Sequence, residues 1–166
     1  MVLAPTDMDR LISEWLARAH PVPQRARTEW SNQGVALLPL GDLFAAVRLP
    51  GELVNAAVGS EDAGQVASAL GSLLQGPVIH DHRSTGATYY ALINWGAGVI
   101  QQMEQNEDAP CLGTGTYLGV PRIDRREPPG TYWAVPPRYD GDLCRPGAVR
   151  SLVANGRRKL ALHATA

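Results

Sequence analysis

The stretch that most constrains this chain runs from Cys111 to Pro137, where two short β-prone runs flank a charged segment closed by Pro128-Pro129-Gly130. The first run is Thr114–Val120 and the second is Thr131–Val135. Their β-branched and aromatic residues suit a pleated, half-buried surface, and Pro-Pro-Gly favours a turn. The pattern predicts a β-hairpin with a long polar loop. The rest of the chain then supplies the elements that cover this hairpin and lead into it.

Thr6 to His20 carries the clearest helical pattern. Met8, Leu11, Ile12, Trp15, Leu16 and Ala19 form one apolar stripe, Asp7 and Asp9 suit the first turn, and Pro21 and Pro23 stop the helix. Residues 21–34 show no periodicity and read as a loop. Two apolar runs, Gly34–Leu40 and Leu43–Pro50, are separated by Gly41-Asp42, a pair that predicts a second hairpin. A short helix from Pro50 to Val58 follows. Next comes a helix capped by Ser60, with Val66, Leu70, Leu73 and Leu74 inward. Pro77–His82 and Ala87–Ile93 predict a third hairpin around an Arg83–Gly86 turn. Residues 94–105 are ambiguous between helix and coil, and Tyr139–Asp142 is a turn. A final helix spans 145–156, with Gly156 as its C-cap. Hairpins with helices gathered between them predict one α+β domain over residues 1–166, built on a mixed, mostly antiparallel sheet. Within it lie an N-terminal helix (1–20), a sheet region (34–137) and the C-terminal helix (145–156).

The chain has 166 residues and a formal charge of -1. That length supports a core without staples, and that charge excludes capture of polyanions by net charge alone, leaving only local patches. Acids dominate between Glu52 and Asp108, whereas Arg145, Arg150, Arg157, Arg158 and Lys159 accumulate after the last acid, Asp142. This basic end is either solvated or phosphate-binding. Cys111 and Cys144 make neither a disulfide framework nor a metal spacing. No signal peptide or membrane-length apolar run is visible, so the expectation is a cytoplasmic protein with reduced thiols. Abundant Ala, Gly, Arg and Pro point to a GC-rich bacterial source.

Three groups of residues carry candidate chemistry. Gly113-Thr-Gly115 has the glycines of a phosphate loop, but strand-like residues follow it instead of the helix a dinucleotide site needs. His80 and His82 share one strand face by alternation, and two imidazoles at that spacing can hold a divalent metal if a third ligand joins them. Otherwise they are ordinary strand-end histidines, and no cofactor is expected. Arg122, Arg125 and Arg126 lie in the predicted loop, where they either stay solvated or grip phosphate or carboxylate groups. Tyr89, Tyr90, Tyr132 and Trp133 offer aromatic faces for bases or for the core.

Gly76-Pro-Val-Ile, Ser84–Tyr90, Cys111–Pro121 and Pro129-Gly-Thr-Tyr-Trp133 together resemble the late half of bifunctional DNA primase/polymerase N-terminal domains, in the archaeo-eukaryotic primase group. Many short actinobacterial proteins look similar to that half, and the resemblance covers roughly residues 34–137. It implies a sheet carrying an Asp-x-Asp type metal pair and a histidine. Here no such pair precedes Ser84, and the histidine position falls near Thr88. The resemblance therefore implies lost polymerase chemistry and a surviving cleft lined by Arg83, Thr88, Arg122 and Tyr132. Three expectations follow. The first is a non-catalytic domain that binds a protein partner in a regulatory or accessory role. The second is a degenerate module that binds nucleic acid or nucleotides, and the third is a metalloenzyme using His80 and His82.

Overall fold

In a computed structural model, which describes residues 5–83, 86–94 and 108–165, two helices open the chain. They are α1 (Pro5–Ala17) and α2 (Pro23–Gln33). Ile12, Trp15 and Leu16 of the predicted stripe are buried, and Trp15 packs on Phe44 with ring centroids 5.9 Å apart. α2 replaces the expected loop. Only Ala26 and Trp30 of this helix are buried, so it has no apolar stripe to betray it. Pro23 starts it and Gly34, in the left-handed conformation, ends it.

The strands follow as β1 (Val35–Pro39) and β2 (Ala45–Pro50), then the helices α3 (Gly51–Val58) and α4 (Ala63–Leu74). After these come β3 (Val78–Arg83), β4 (Gly86–Ile93), β5 (Cys111–Leu112), β6 (Tyr117–Pro121), β7 (Thr131–Val135) and the closing helix α5 (Pro146–Thr165). The ambiguous 95–105 stretch and the Ser84–Thr85 tip lie outside the described residues. α4 is capped by Asp62, whose carboxylate accepts the Gln65 N–H at 2.9 Å, and not by Ser60. Leu73 points outward.

The α+β class is as expected, but of the three predicted hairpins only β3–β4 forms. β1 pairs antiparallel with β6 in a two-stranded ribbon, and the five-stranded antiparallel sheet runs β5-β2-β4-β3-β7. Gly41 therefore does not turn β1 back onto β2. A side chain there would press on Thr114, with its Cβ 2.8 Å from the Thr114 amide nitrogen, so the glycine lets the β5–β6 connection pass close by. The stretch Thr114–Val135 is likewise no hairpin. Its first strand joins the ribbon, its second joins the edge of the main sheet beside β3, and the charged segment carries the chain between them.

Strand alternation gives the main sheet two buried faces. Ala45, Val47, Leu49, Val78, Tyr89 and Ala91 pack with residues of α3, α4 and α5 in one cluster. Ala46, Ile79, Leu92 and Trp133 pack with α1, α2 and the inner face of the ribbon in another. α5 does not stop at Gly156. The helix runs nine residues further because this glycine faces α3, where a Cβ would lie 2.6 Å from the Leu53 carbonyl oxygen.

Candidate functional site

On β3 the alternation turns Val78, His80 and His82 toward the three-helix layer and Ile79 and Asp81 away from it. Register then aligns Leu49, Tyr89, His80 and Tyr132 in one row across β2, β4, β3 and β7. His80 is only 6% exposed, and its ring lies between the two phenols, 4.9 Å from Tyr89 and 4.6 Å from Tyr132 between centroids. The exposed His82 ring stacks on it at 6.2 Å. Burial, then the neighbouring His82, lowers the His80 pKa against a smaller opposing pull from Asp81. Burial also pushes the Tyr89 phenol up to about 12 and raises that of Tyr132. The row therefore holds a neutral imidazole between two protonated phenols, and its Nδ1 has no hydrogen-bond partner among the described residues.

The two histidines come together as predicted, yet among the described residues no group of three His, Cys, Asp or Glu side chains converges on one point. A zinc-like site needs at least that many ligands. The opposite face carries Pro50, Thr88, Asp81 and Thr131 in the next row. There the Thr131 hydroxyl donates to the Asp81 carboxylate at 3.0 Å. β2, the strand beside Thr88, reads Ala-Ala-Val-Arg-Leu-Pro and has no carboxylate. Thr88 also borders an open cleft of about 1520 Å³ between α3, the start of β4 and the last turns of α5. Arg83 ends β3 opposite Gly86.

The three loop arginines lie on the other layer, against α1 and α2. Arg122 donates from Nε to Asp124 at 2.6 Å and from Nη1 to the Trp30 carbonyl at 3.4 Å. Arg126 donates to the Ile123 carbonyl at 3.2 Å and to Asp9 at 3.4 Å. Arg125 is half-buried, with its guanidinium over Gly34. The structure thus brings His80, His82 and Tyr132 together and adds Tyr89. It sets Thr88 on the far face of the sheet from that group and the arginines on a separate layer. Of the basic C-terminal residues, Arg157 pairs with Asp108 at 3.2 Å, and Lys159 donates to the Ala57 carbonyl at 3.2 Å.

A second surface escaped sequence reasoning. Ala36, Leu38, Leu118 and Val120 bury the inner face of the ribbon, so the odd-numbered positions point outward. Val35, Leu37 and Pro39 on β1 and Tyr117 and Gly119 on β6 make an apolar outer face, with Leu37 54% and Tyr117 64% exposed. The signal was present in both runs, where every alternate position is apolar although only one face can be buried. No family model, curated protein or solved structure matches this chain. Among the described residues no helix is long and apolar enough to cross a membrane.

Proposed function

We propose that this chain is a non-catalytic, cytoplasmic binding module that docks on another protein through the outer face of the β1–β6 ribbon, in a regulatory or accessory role. One observation carries the reading: Leu37 and Tyr117 stand exposed and diagonal to each other on paired strands, and Gly119, opposite Leu37, adds no side chain of its own to that face. Apolar side chains grouped on one ordered surface mark interaction sites far more than single exposed ones do, and tyrosine is enriched where partners bind. The absence of a carboxylate on β2 beside Thr88 supports binding over metal-dependent nucleotidyl transfer. A photo-crosslinking amino acid at position 117 tests the reading in cells, with position 73 on α4 as the exposed control. A discrete crosslinked protein at position 117, absent at 73 and lost in a Leu37→Asp background, supports it. Crosslinks that are absent, or identical at both positions, sink it.

A second reading keeps the primase/polymerase resemblance and assigns nucleic-acid or nucleotide binding. Arg48 is exposed on β2 directly beside the half-buried Tyr90 of β4, which puts a cation and an aromatic ring side by side. Binding of single-stranded DNA that falls steeply with salt and is lost in Arg48→Ala supports this reading. Salt-insensitive or absent binding removes it.

A further inference from the structure

The ribbon has a charged end. Gly34 leads into β1 in the left-handed conformation, and the Arg125 guanidinium lies over it, 3.1 to 3.3 Å from where a Cβ would stand. Two of the three arginines in this segment are neutralised, Arg122 by Asp124 and Arg126 by Asp9. The side chain of Arg125 has no ion pair or hydrogen bond among the described residues. A half-buried guanidinium without an anion is a ready-made fork for one carboxylate. The free edge of β1 is closed, because the Glu29 carboxylate accepts the Leu37 N–H at 3.1 Å and Pro39 has no N–H to offer. An arriving segment is therefore directed to the face of the ribbon and not to its β1 edge.

We infer that the partner contributes a short apolar segment carrying a carboxylate. Its apolar side chains cover Leu37 and Tyr117, and its carboxylate meets Arg125 at the Val35–Pro121 end. This rests on the ribbon face being the docking surface proposed above. Tyr117 pairs with Pro39, four strand steps from Val35, so the Tyr117 anchor and the carboxylate stand roughly 13 Å apart, with Leu37 between them. A carboxylate fits better than a phosphate. Of Arg122, Arg125 and Arg126, only Arg125 is uncommitted among the described residues, and one guanidinium balances a single carboxylate charge but not the nearly two charges of a phosphate.

The test selects a phage-displayed library of random twelve-residue peptides on the full chain, with Tyr117→Asp, Arg125→Met and Arg125→Lys screened in parallel. The expected peptides combine apolar residues with Asp or Glu and lose all binding to Tyr117→Asp. They bind Arg125→Met about tenfold more weakly, the scale of one charge-assisted contact, and Arg125→Lys falls between. Equal melting temperatures show that the variants fold; if Arg125→Met melts low, the comparison passes to Arg125→Lys and to the salt dependence of binding. Peptides that need Tyr117 but carry no acid and ignore Arg125 overturn the carboxylate and leave the docking face standing. Peptides indifferent to Tyr117→Asp, or a selection that yields none, overturn both.

Discussion

The imidazole of His80 and the phenol ring of Tyr132 lie 4.6 Å apart between centroids on neighbouring strands, and Nδ1 of that imidazole has no hydrogen-bond partner among the described residues. Burial lowers the pKa of His80 in the fold, and the adjacent His82 lowers it further. Below the ordinary histidine value of 6.5 the unfolded chain takes up a proton that the folded chain resists, so stability falls with pH. The loss begins near 6.5 and levels off below the folded pKa. Thermal melts between pH 7.5 and 5 should show this decline. His80→Phe should flatten it while leaving stability at pH 7.5 unchanged or raised, since the orphaned nitrogen goes with the ring. An unchanged slope in His80→Phe would assign the pH dependence elsewhere.

Asp142 is 1% exposed and accepts three hydrogen bonds from Arg138, from the backbone N–H and Nε at 2.9 Å and from Nη2 at 3.0 Å. Arg138 also donates to the Gln75 carbonyl at 2.8 Å, which ties the turn to the end of α4. Asp142→Ala removes the acceptor of all three bonds, the part-buried Arg138 amide among their donors, and should cost about 2 kcal/mol in chemical denaturation. A change smaller than the error of such a titration would show that the turn holds without the carboxylate.

Gly156 and Gly147 should respond to alanine with opposite signs. Both lie in α5, where alanine is intrinsically favoured over glycine by up to about 1 kcal/mol. A Cβ at Gly147 meets nothing within 4 Å, whereas at Gly156 it lies 2.6 Å from the Leu53 carbonyl oxygen and 2.9 Å from Leu53 Cγ. Gly147→Ala should raise the melting temperature. Gly156→Ala should lower it, because overpacking of about 1–3 kcal/mol exceeds the propensity gain. Equal gains at both positions would mean that α3 and α5 separate freely.

Cys144 is buried, its thiol donates to the Pro77 carbonyl at 3.3 Å, and burial pushes its pKa up to about 12. Thiolate is the reactive form. Cys144 should therefore resist iodoacetamide at pH 8 in the native protein and become alkylated in denaturant, as peptide mass spectrometry would record. Rapid native labelling at this position would contradict its packing.

The parts of the fold legible in the sequence are those fixed by neighbours in sequence. The stripe of α1, the helices α3 and α4 and the β3–β4 hairpin all follow from local pattern. α2 was hidden because a helix that buries only Ala26 and Trp30 has no periodicity to read, and Pro23 with Gly34 was its sole signature. The failed hairpins have a different cause. Turn residues report that the chain bends, but the pairing of Val35 with Pro121 is decided by burial across the whole molecule. The site divides the same way. Alternation alone put His80 and His82 on one face, while Tyr89 joined them through a cross-strand register, and Arg126 and Arg122 found their anions on a helix and a neighbouring turn.

The strand order also sets a timetable for a chain made from its N-terminus. β2, β4 and β3 can zip together once Ile93 is out, but β5 and β7, which flank them, and β6, which completes the ribbon, lie within residues 111–135. At about 5–20 residues per second, roughly 1 to 4 s pass before β5 can cover one flank, and roughly 2 to 8 s before β7 covers the other. For that interval the newborn chain offers open β edges to the ribosome's surroundings, and chaperones of nascent chains have their opening there.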